Sequence, residues 1–298
     1  MSLAGLPPGG LPPGRLGTTR IGRETFAWGA RTYVMGIVNV TPDSFSGDGL
    51  LRAVAEPGPS VIAQARRMVE EGADLLDVGG ESTRPGHEPV DEAQEIARVV
   101  PAVRAIREAL PGLPISVDTT KPAVAEAALD AGADCINDIW GTGPSDALSR
   151  IAAQRHVPYV LMHNRAEARY EDVVAEVVAD LAQAIERAVA AGVPREAIVV
   201  DPGIGFGKTM AHNLALLRDL AALQVLRRPI LLGTSRKSTI GHVLGGVAAV
   251  ERIEGTLATT ALGIAAGADI VRVHDVRENV RVARMCDAIL RTREEVGA

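Results

Sequence analysis

The sequence predicts a single-domain (β/α)8 TIM barrel of the α/β class with a short N-terminal hairpin. Three observations predict it. Short runs rich in Val and Ile alternate with longer Ala-rich segments of helical spacing. Eight such pairs follow one another between residues 33 and 293. The tripeptide Gly-Ala-Asp recurs at 72–74, 132–134 and 267–269, each time between a helical segment and an apolar run. Gly can close a helix in the left-handed conformation, and a strand then begins directly. Strands apolar on both faces and separated by helices pair in parallel. Eight units in about 265 residues suit a closed barrel. An open doubly wound sheet is the alternative topology.

Taken in order, IGRETFAWGARTYV at 21–34 has the turn residues of a small hairpin beneath the first strand. The expected strands are 33–39, 74–80, 114–118, 134–138, 158–163, 197–201, 229–233 and 269–274; each is a short β-branched run ending in polar residues. The expected helices are 61–71, 91–110, 121–131, 146–155, 171–192, 212–223, 251–266 and 278–293. Residues 1–18, opening MSLAGLPPGGLPPGRLG, are Pro- and Gly-rich and are read as a flexible tail. No linker interrupts residues 19–298, which are read as one barrel domain.

Composition narrows the function. The 298 residues are 47% hydrophobic and 23% charged, as in globular proteins, with a net charge of −6. That charge argues against a nucleic-acid or anionic-membrane partner. Aromatic residues, at 3%, are too few for base-stacking platforms. No run approaches the roughly 18 apolar residues of a membrane span. Cys135 and Cys286 cannot build a disulfide framework, which fits a reduced, cytoplasmic compartment.

In a barrel the site lies at the C-terminal strand ends. Those ends carry Asn39, Asp77, Asp118, Asn137, Asp138, His163, Asp201, Ser235, Arg236, Lys237, Arg272, His274 and Asp275. Stacked polar groups cost desolvation energy unless paired or ligated. Asp77, Asp138 and Asp275, taken singly, read as loop caps or ion-pair partners. The loops NVTPDSFSGDG (39–49) and GGESTRPG (79–86) are dense in hydroxyl, amide and charged groups. Arg84, Arg236, Lys237, Arg272 and His274, with the hydroxyls of Ser82, Thr83 and Ser238, suit phosphate oxygens. Asn39, with Asp43 or Asp48, can offer oxygen ligands to Mg²⁺. Asp118, Asn137 and Asp201 match the hydrogen-bonding edge of a flat nitrogen heterocycle such as a pterin or purine. DPGIGFGKT (201–209) is not a phosphate loop, because Pro202 stands where that pattern requires Gly; its glycines instead permit tight backbone approach.

The ordered set NVTPDSFSGDG, GGESTRPG, SVDTTK, INDI, DPGIGFGK, GTSRKS and RVHD resembles the motifs of the dihydropteroate synthase family, from about Val34 to Asp275. The resemblance implies a Mg²⁺-dependent transferase of folate biosynthesis, usually a homodimer. It condenses (7,8-dihydropterin-6-yl)methyl diphosphate with 4-aminobenzoate. By motif, Asn39 would be the metal ligand, and Thr83 and Arg84 would lie near diphosphate and arylamine. Asp118, Asn137, Asp201 and Lys237 would hold the pterin, with Met162 on its face. Arg272, Val273 and His274 would take the diphosphate, and Pro85, Phe206 and Ser238 would line the arylamine site. Asp118, Asp201, Lys237, Arg272 and His274 are the expected catalytic set. A pterin-binding methyltransferase or a catalytically silent paralogue are the alternatives. The chain departs from the family pattern after the fifth strand. LMHNRAEARYEDV (161–173) lacks the usual Met-His-Met followed by Gly and Pro, and Ile204 replaces a frequent aromatic.

Overall fold

The structure, a computed structural model, describes residues 16–40, 58–81 and 90–291. The N-terminal hairpin forms from β1 (Thr18–Ile21) and β2 (Glu24–Ala27), so it begins at the last residue of the expected tail; residues 1–15 lie outside the described residues. The barrel strands are β3 (Tyr33–Asn39), β4 (Leu75–Gly79), β5 (Ile115–Asp118), β6 (Cys135–Asp138), β7 (Tyr159–Met162), β8 (Ile198–Asp201), β9 (Leu231–Leu232) and β10 (Ile270–Val273). They pair in parallel in the order β8-β7-β6-β5-β4-β3-β10-β9. A bridge between Val200 and Ile230 joins β8 to the start of β9 and closes the ring. The alternative open sheet is therefore excluded.

The helices are α1 (Gly58–Glu70), α2 (Glu92–Ala109), α3 (Pro122–Asp130), α4 (Ala147–Arg155), α5 (Val173–Ala190), α6 (Met210–Arg218), α7 (Ser238–Val243), α8 (Ile253–Ala265) and α9 (Val276–Leu290). Two features differ from the expectation. The helix expected at 212–223 splits into α6 and a 3-10 stretch, Leu220–Leu226. The six-residue α7 was not foreseen, because STIGHV is short and rich in poor helix formers.

The recurring Gly-Ala-Asp has a physical basis at the N-terminal end of the barrel. Gly72, Gly132 and Gly267 take φ of +104°, +111° and +102°, ending α1, α3 and α8. Each of these Asp residues accepts an N–H at the start of a neighbouring strand: Asp74 from Val34 (2.8 Å), Asp134 from Ile115 (2.9 Å) and Asp269 from Ile230, just before β9 (3.2 Å). The repeat thus stops a helix and staples adjacent strands in one step.

Strand alternation sorts the side chains into two populations. Val34, Val38, Val78, Val117, Leu161, Val200 and Val271 point outward into the layer shared with the helices. Tyr33, Met35, Leu75, Cys135, Val160, Val199, Leu231 and Ile270 fill the lower barrel interior. Ile21, Phe26 and Trp28 of the hairpin join this interior cluster, with Phe26 and Trp28 at 4.6 and 5.6 Å from the Tyr33 ring. The hairpin therefore stoppers the N-terminal end. Only the upper interior is left for polar groups.

Candidate active site

Two residues above the apolar layer, the inward positions turn polar. Asp77 on β4, Ser116 on β5 and Cys135 on β6 lie level by strand register, and Gly79, Asp118 and Asn137 lie level two residues further along. Asp77 is fully buried. Its Oδ2 accepts from Arg272 Nε at 2.6 Å and from Asn137 Nδ2 at 2.9 Å. Arg272 Nη2 donates to Asp118 Oδ2 at 2.6 Å. A guanidinium from β10 is thereby clamped between carboxylates of β4 and β5. Of the two readings the sequence offers for Asp77, loop cap or ion-pair partner, the structure shows the second, at the floor of the site.

Across the barrel, Asp201 is level with Met162 in the β7–β8 register. Asp201 Oδ1 accepts from Gly203 N at 2.7 Å. Lys237 Nζ donates to the Ile204 carbonyl and stands 4.5 Å over the Phe206 ring. Gly233 opens the space between Asp201 and Arg272: a Cβ there would lie 3.8 Å from Asp201 Oδ2 and from Arg272 Cβ. His274 Nδ1 is 3.0 Å from Ser235 Oγ, and the same hydroxyl accepts from His274 N. Ser238 opens α7 and is exposed.

Burial dominates the electrostatics. It pushes the Asp118 carboxyl upward, against the attraction of Arg272. It pushes Asp201 upward too, against Lys237 and the Gly203 N–H. It lowers the Lys237 ammonium to about 8, with Asp201 opposing. Burial also works against the Arg272 charge, but Asp77 and Asp118 outweigh it and hold the guanidinium charged. The result is a slot of charges of both signs, each stabilised by another rather than by water.

The structure thus brings Asp118, Asn137, Met162, Asp201, Arg272 and Lys237 to one end of the barrel, with Phe206, Ser238 and His274 on flanking loops. Asn39 ends β3 and is half-buried, level with Gly79. Thr83, Arg84 and Pro85 lie outside the described residues, as do Ser82, Asp43 and Asp48. Two placements differ from expectation. Val273 packs outward in the helix-facing layer, because alternation turns it away from its neighbours Arg272 and His274. Arg236 has φ +59° and gives its guanidinium to Asp275 at 3.0 and 2.5 Å, so it is an internal ion pair. Asp138 points outward as well, accepting from Trp140 N and from the Tyr159 hydroxyl.

A closed parallel barrel whose C-terminal mouth joins a carboxylate-and-amide slot to a cationic rim defines a heterocycle-binding enzyme of the barrel class. The comparisons identify which. The family model described as pterin binding enzyme matches residues 35–274. A dihydropteroate synthase of Clostridium beijerinckii is 49% identical over 272 residues, covering 91% of this chain and 99% of the relative. Among solved structures, a dihydropteroate synthase of Clostridium difficile in the presence of pteroic acid has 47% identity and a TM-score of 0.85, over 90% of this chain and 100% of that one. One from Xanthomonas albilineans with 4-aminobenzoic acid has 41% identity and a TM-score of 0.83, over 91% and 97%. The chain belongs to the pterin binding enzyme family, among the dihydropteroate synthases.

Proposed function

We propose that this barrel mouth condenses (7,8-dihydropterin-6-yl)methyl diphosphate with 4-aminobenzoate, giving 7,8-dihydropteroate and diphosphate in folate biosynthesis. The supporting observation is the Asp77–Arg272–Asp118 clamp facing Asp201 and Lys237 in one slot. Asp201 and Asn137 offer acceptors and a donor to the pterin edge, and Met162 covers a ring face. The C–O bond to diphosphate breaks and its electron pair leaves with the phosphate oxygen. Asp118 and Asp201 stabilise the cationic pterin methylene that remains. Arg272 uses Nε and Nη2 on carboxylates, and in this reading its Nη1 serves the departing anion together with His274. The arylamine nitrogen forms the new C–N bond and then loses a proton. Thr83, Arg84, Pro85, Phe206 and Ser238 line the arylamine and diphosphate approach in this reading. Val273 contributes through its backbone only.

Among the described residues no three His, Cys, Asp or Glu side chains group to hold a metal ion. A single amide oxygen, that of Asn39, fits Mg²⁺, which keeps its waters and takes further ligands from a diphosphate. Bound there, Mg²⁺ would neutralise part of the leaving group's charge. Leu262 on α8 and Met285 and Ile289 on α9, all exposed, support a homodimer interface on these adjoining helices. Both cysteines are free, which supports a cytoplasmic setting. No helix among the described residues is long and apolar enough to cross a membrane. Residues 19–298 are taken as one domain.

The test is product formation from the dihydropterin diphosphate, with and without 4-aminobenzoate and Mg²⁺. Arylamine-dependent dihydropteroate supports the proposal. Diphosphate release indifferent to arylamine, or none at all, overturns it.

A further inference from the structure

A second cluster of buried ionisable groups lies beside the site and has no part in the chemistry above. Lys208 Nζ sits 2.9 Å from His163 Nδ1, 3.1 Å from the Gly203 carbonyl and 3.0 Å from the Phe206 carbonyl. His163 is fully buried, and its Nε2 is 3.0 Å from Asp180 Oδ2 on α5. The carboxylate at Nε2 requires a proton there, so Nδ1 accepts from Lys208. Arg165 grips the same Asp180 oxygen through Nε (3.0 Å) and Nη2 (2.7 Å). Its Nη1 reaches Glu176 at 2.7 Å. The guanidinium also lies 4.5 Å over the Tyr170 ring, and the Tyr170 hydroxyl donates to the Gly207 carbonyl at 3.0 Å. The stretch 163–170, where the sequence leaves the family pattern, is therefore a built scaffold against the 203–208 turn.

We propose that Lys208 is a positioning residue: backed by His163 and Asp180, its ammonium pins the Gly203–Phe206 turn, whose Ile204 carbonyl and Phe206 ring aim Lys237 at the slot. The inference rests on the functional reading above. Both lysines hold the same turn, Lys208 at the Gly203 and Phe206 carbonyls and Lys237 at the Ile204 carbonyl and the Phe206 ring. The turn has no room to settle elsewhere. Gly203 has φ +69°, and a Cβ on it would lie 1.8 Å from the His163 carbonyl. The Gly203 N–H is simultaneously spent on Asp201.

The charge on Lys208 matters to this arrangement. An ammonium has three N–H donors for its three closest acceptors. A neutral amine would turn a lone pair on one of them. The titratable and charged groups facing Lys208 are Asp201 from β8, Lys237 before α7, His163 and Arg165 after β7, and Asp180 from α5. Burial lowers the ammonium to about 7, with Asp201 opposing and Lys237 adding to the fall. Burial, with Lys208 beside it, also holds His163 well below its ordinary range and hence neutral.

Lys208→Met and Asp180→Asn are compared with the unmodified protein. Steady-state kcat and KM are read for both substrates between pH 6 and 9.5, with pteroate affinity by fluorescence and the thermal midpoint measured alongside. Lys208→Met is expected to lose roughly tenfold or more in kcat/KM and in pteroate affinity, the scale of charge-assisted hydrogen bonds. Asp180→Asn is expected to lose severalfold. The unmodified protein should lose kcat/KM in two alkaline steps, near the values held by Lys208 and Lys237. Lys208→Met should keep only the second. A folded Lys208→Met variant with unchanged kinetics and pH profile, or with pteroate affinity intact, overturns the inference. Should that variant fail to fold, unchanged kinetics in Asp180→Asn overturn it. Absence of turnover in the unmodified protein overturns the functional reading instead, and pteroate affinity in Lys208→Met then decides the inference on its own.

Discussion

Asp77→Asn is the sharpest perturbation of the clamp. Asp77 Oδ2 accepts from Arg272 Nε and from Asn137 Nδ2, while its Oδ1 meets no partner among the described residues. Asparagine preserves the shape and one acceptor but removes the charge. Arg272 keeps Asp118 at 2.6 Å, so the guanidinium is not left unpaired. The loss is therefore that of one charge-assisted bond, about 1.5–3 kcal/mol, not the 3–5 kcal/mol of a broken buried pair. Arg272 also becomes less firmly aimed at the leaving group, so part of that energy is lost from the transition state. We expect kcat to fall roughly 10- to 100-fold. The thermal midpoint should drop by about 3–12 °C, at about 2–4 °C per kcal/mol. Dihydropteroate formation under saturating substrates reads the first quantity and calorimetry the second. Turnover within threefold of the unmodified protein would show that Asp77 is a passive floor and that Arg272 needs no second carboxylate.

Lys237→Met and Asp201→Asn should each lower turnover about a hundredfold or more while leaving the far-ultraviolet dichroism unchanged; near-normal turnover in either sinks the assignment of the slot. Lys237 and Lys208 titrate at about 8 and about 7 when folded, below the ordinary 10.5, so the unfolded chain binds more protons in between. Stability is therefore lost as pH falls from about 10.5 toward 8 for Lys237 and toward 7 for Lys208, and gained as pH rises over that window, whereas activity, which needs both ammonium groups, declines over the same rise. Thermal midpoints and kcat/KM followed from pH 7 to 9.5 should move in opposite directions, and a parallel decline would contradict the lowered values. Gly207→Ala should destabilise by about 1–3 kcal/mol, because Gly207 has φ +54° and a Cβ would lie 2.1 Å from the Arg165 carbonyl; an unchanged denaturation midpoint would mean the 163–170 stretch moves freely away from the turn. Exchanging Leu262 and Met285 for Asp should yield monomer in light scattering if the α8–α9 face is the dimer contact, and an unchanged mass would place that contact elsewhere.

Local signals carried the barrel, and they carried it for identifiable reasons. The strand and helix alternation is written in residue types that act within a few positions. The Gly-Ala-Asp stops work through one left-handed φ and one carboxylate reaching an N–H at the start of a neighbouring strand. The polar strand ends were legible in the same way: Asp118, Asn137, Asp201 and Arg272 stand at inward positions that could be counted along each run. Val273 stands between Arg272 and His274 in the RVHD motif, but its side chain faces the helix layer, because a step of one residue in a strand reverses the side chain.

Asp77 and Arg236 show a different limit of local reading. Asp77 is paired with Arg272 across 195 positions of sequence, and nothing local separates a carboxylate that caps a loop from one that anchors a distant guanidinium. Arg236 looked like a second rim cation, but its pairing with Asp275 across 39 positions consumes it. The two cases have one cause. In a barrel, every strand end is brought beside neighbours fixed by ring closure, so the charge a ligand meets is what remains after those neighbours have paired. Composition gives the charges present at the rim. Only the closed ring decides that Arg236 is neutralised by its own neighbour while Arg272 is shared between two carboxylates of other strands through Nε and Nη2.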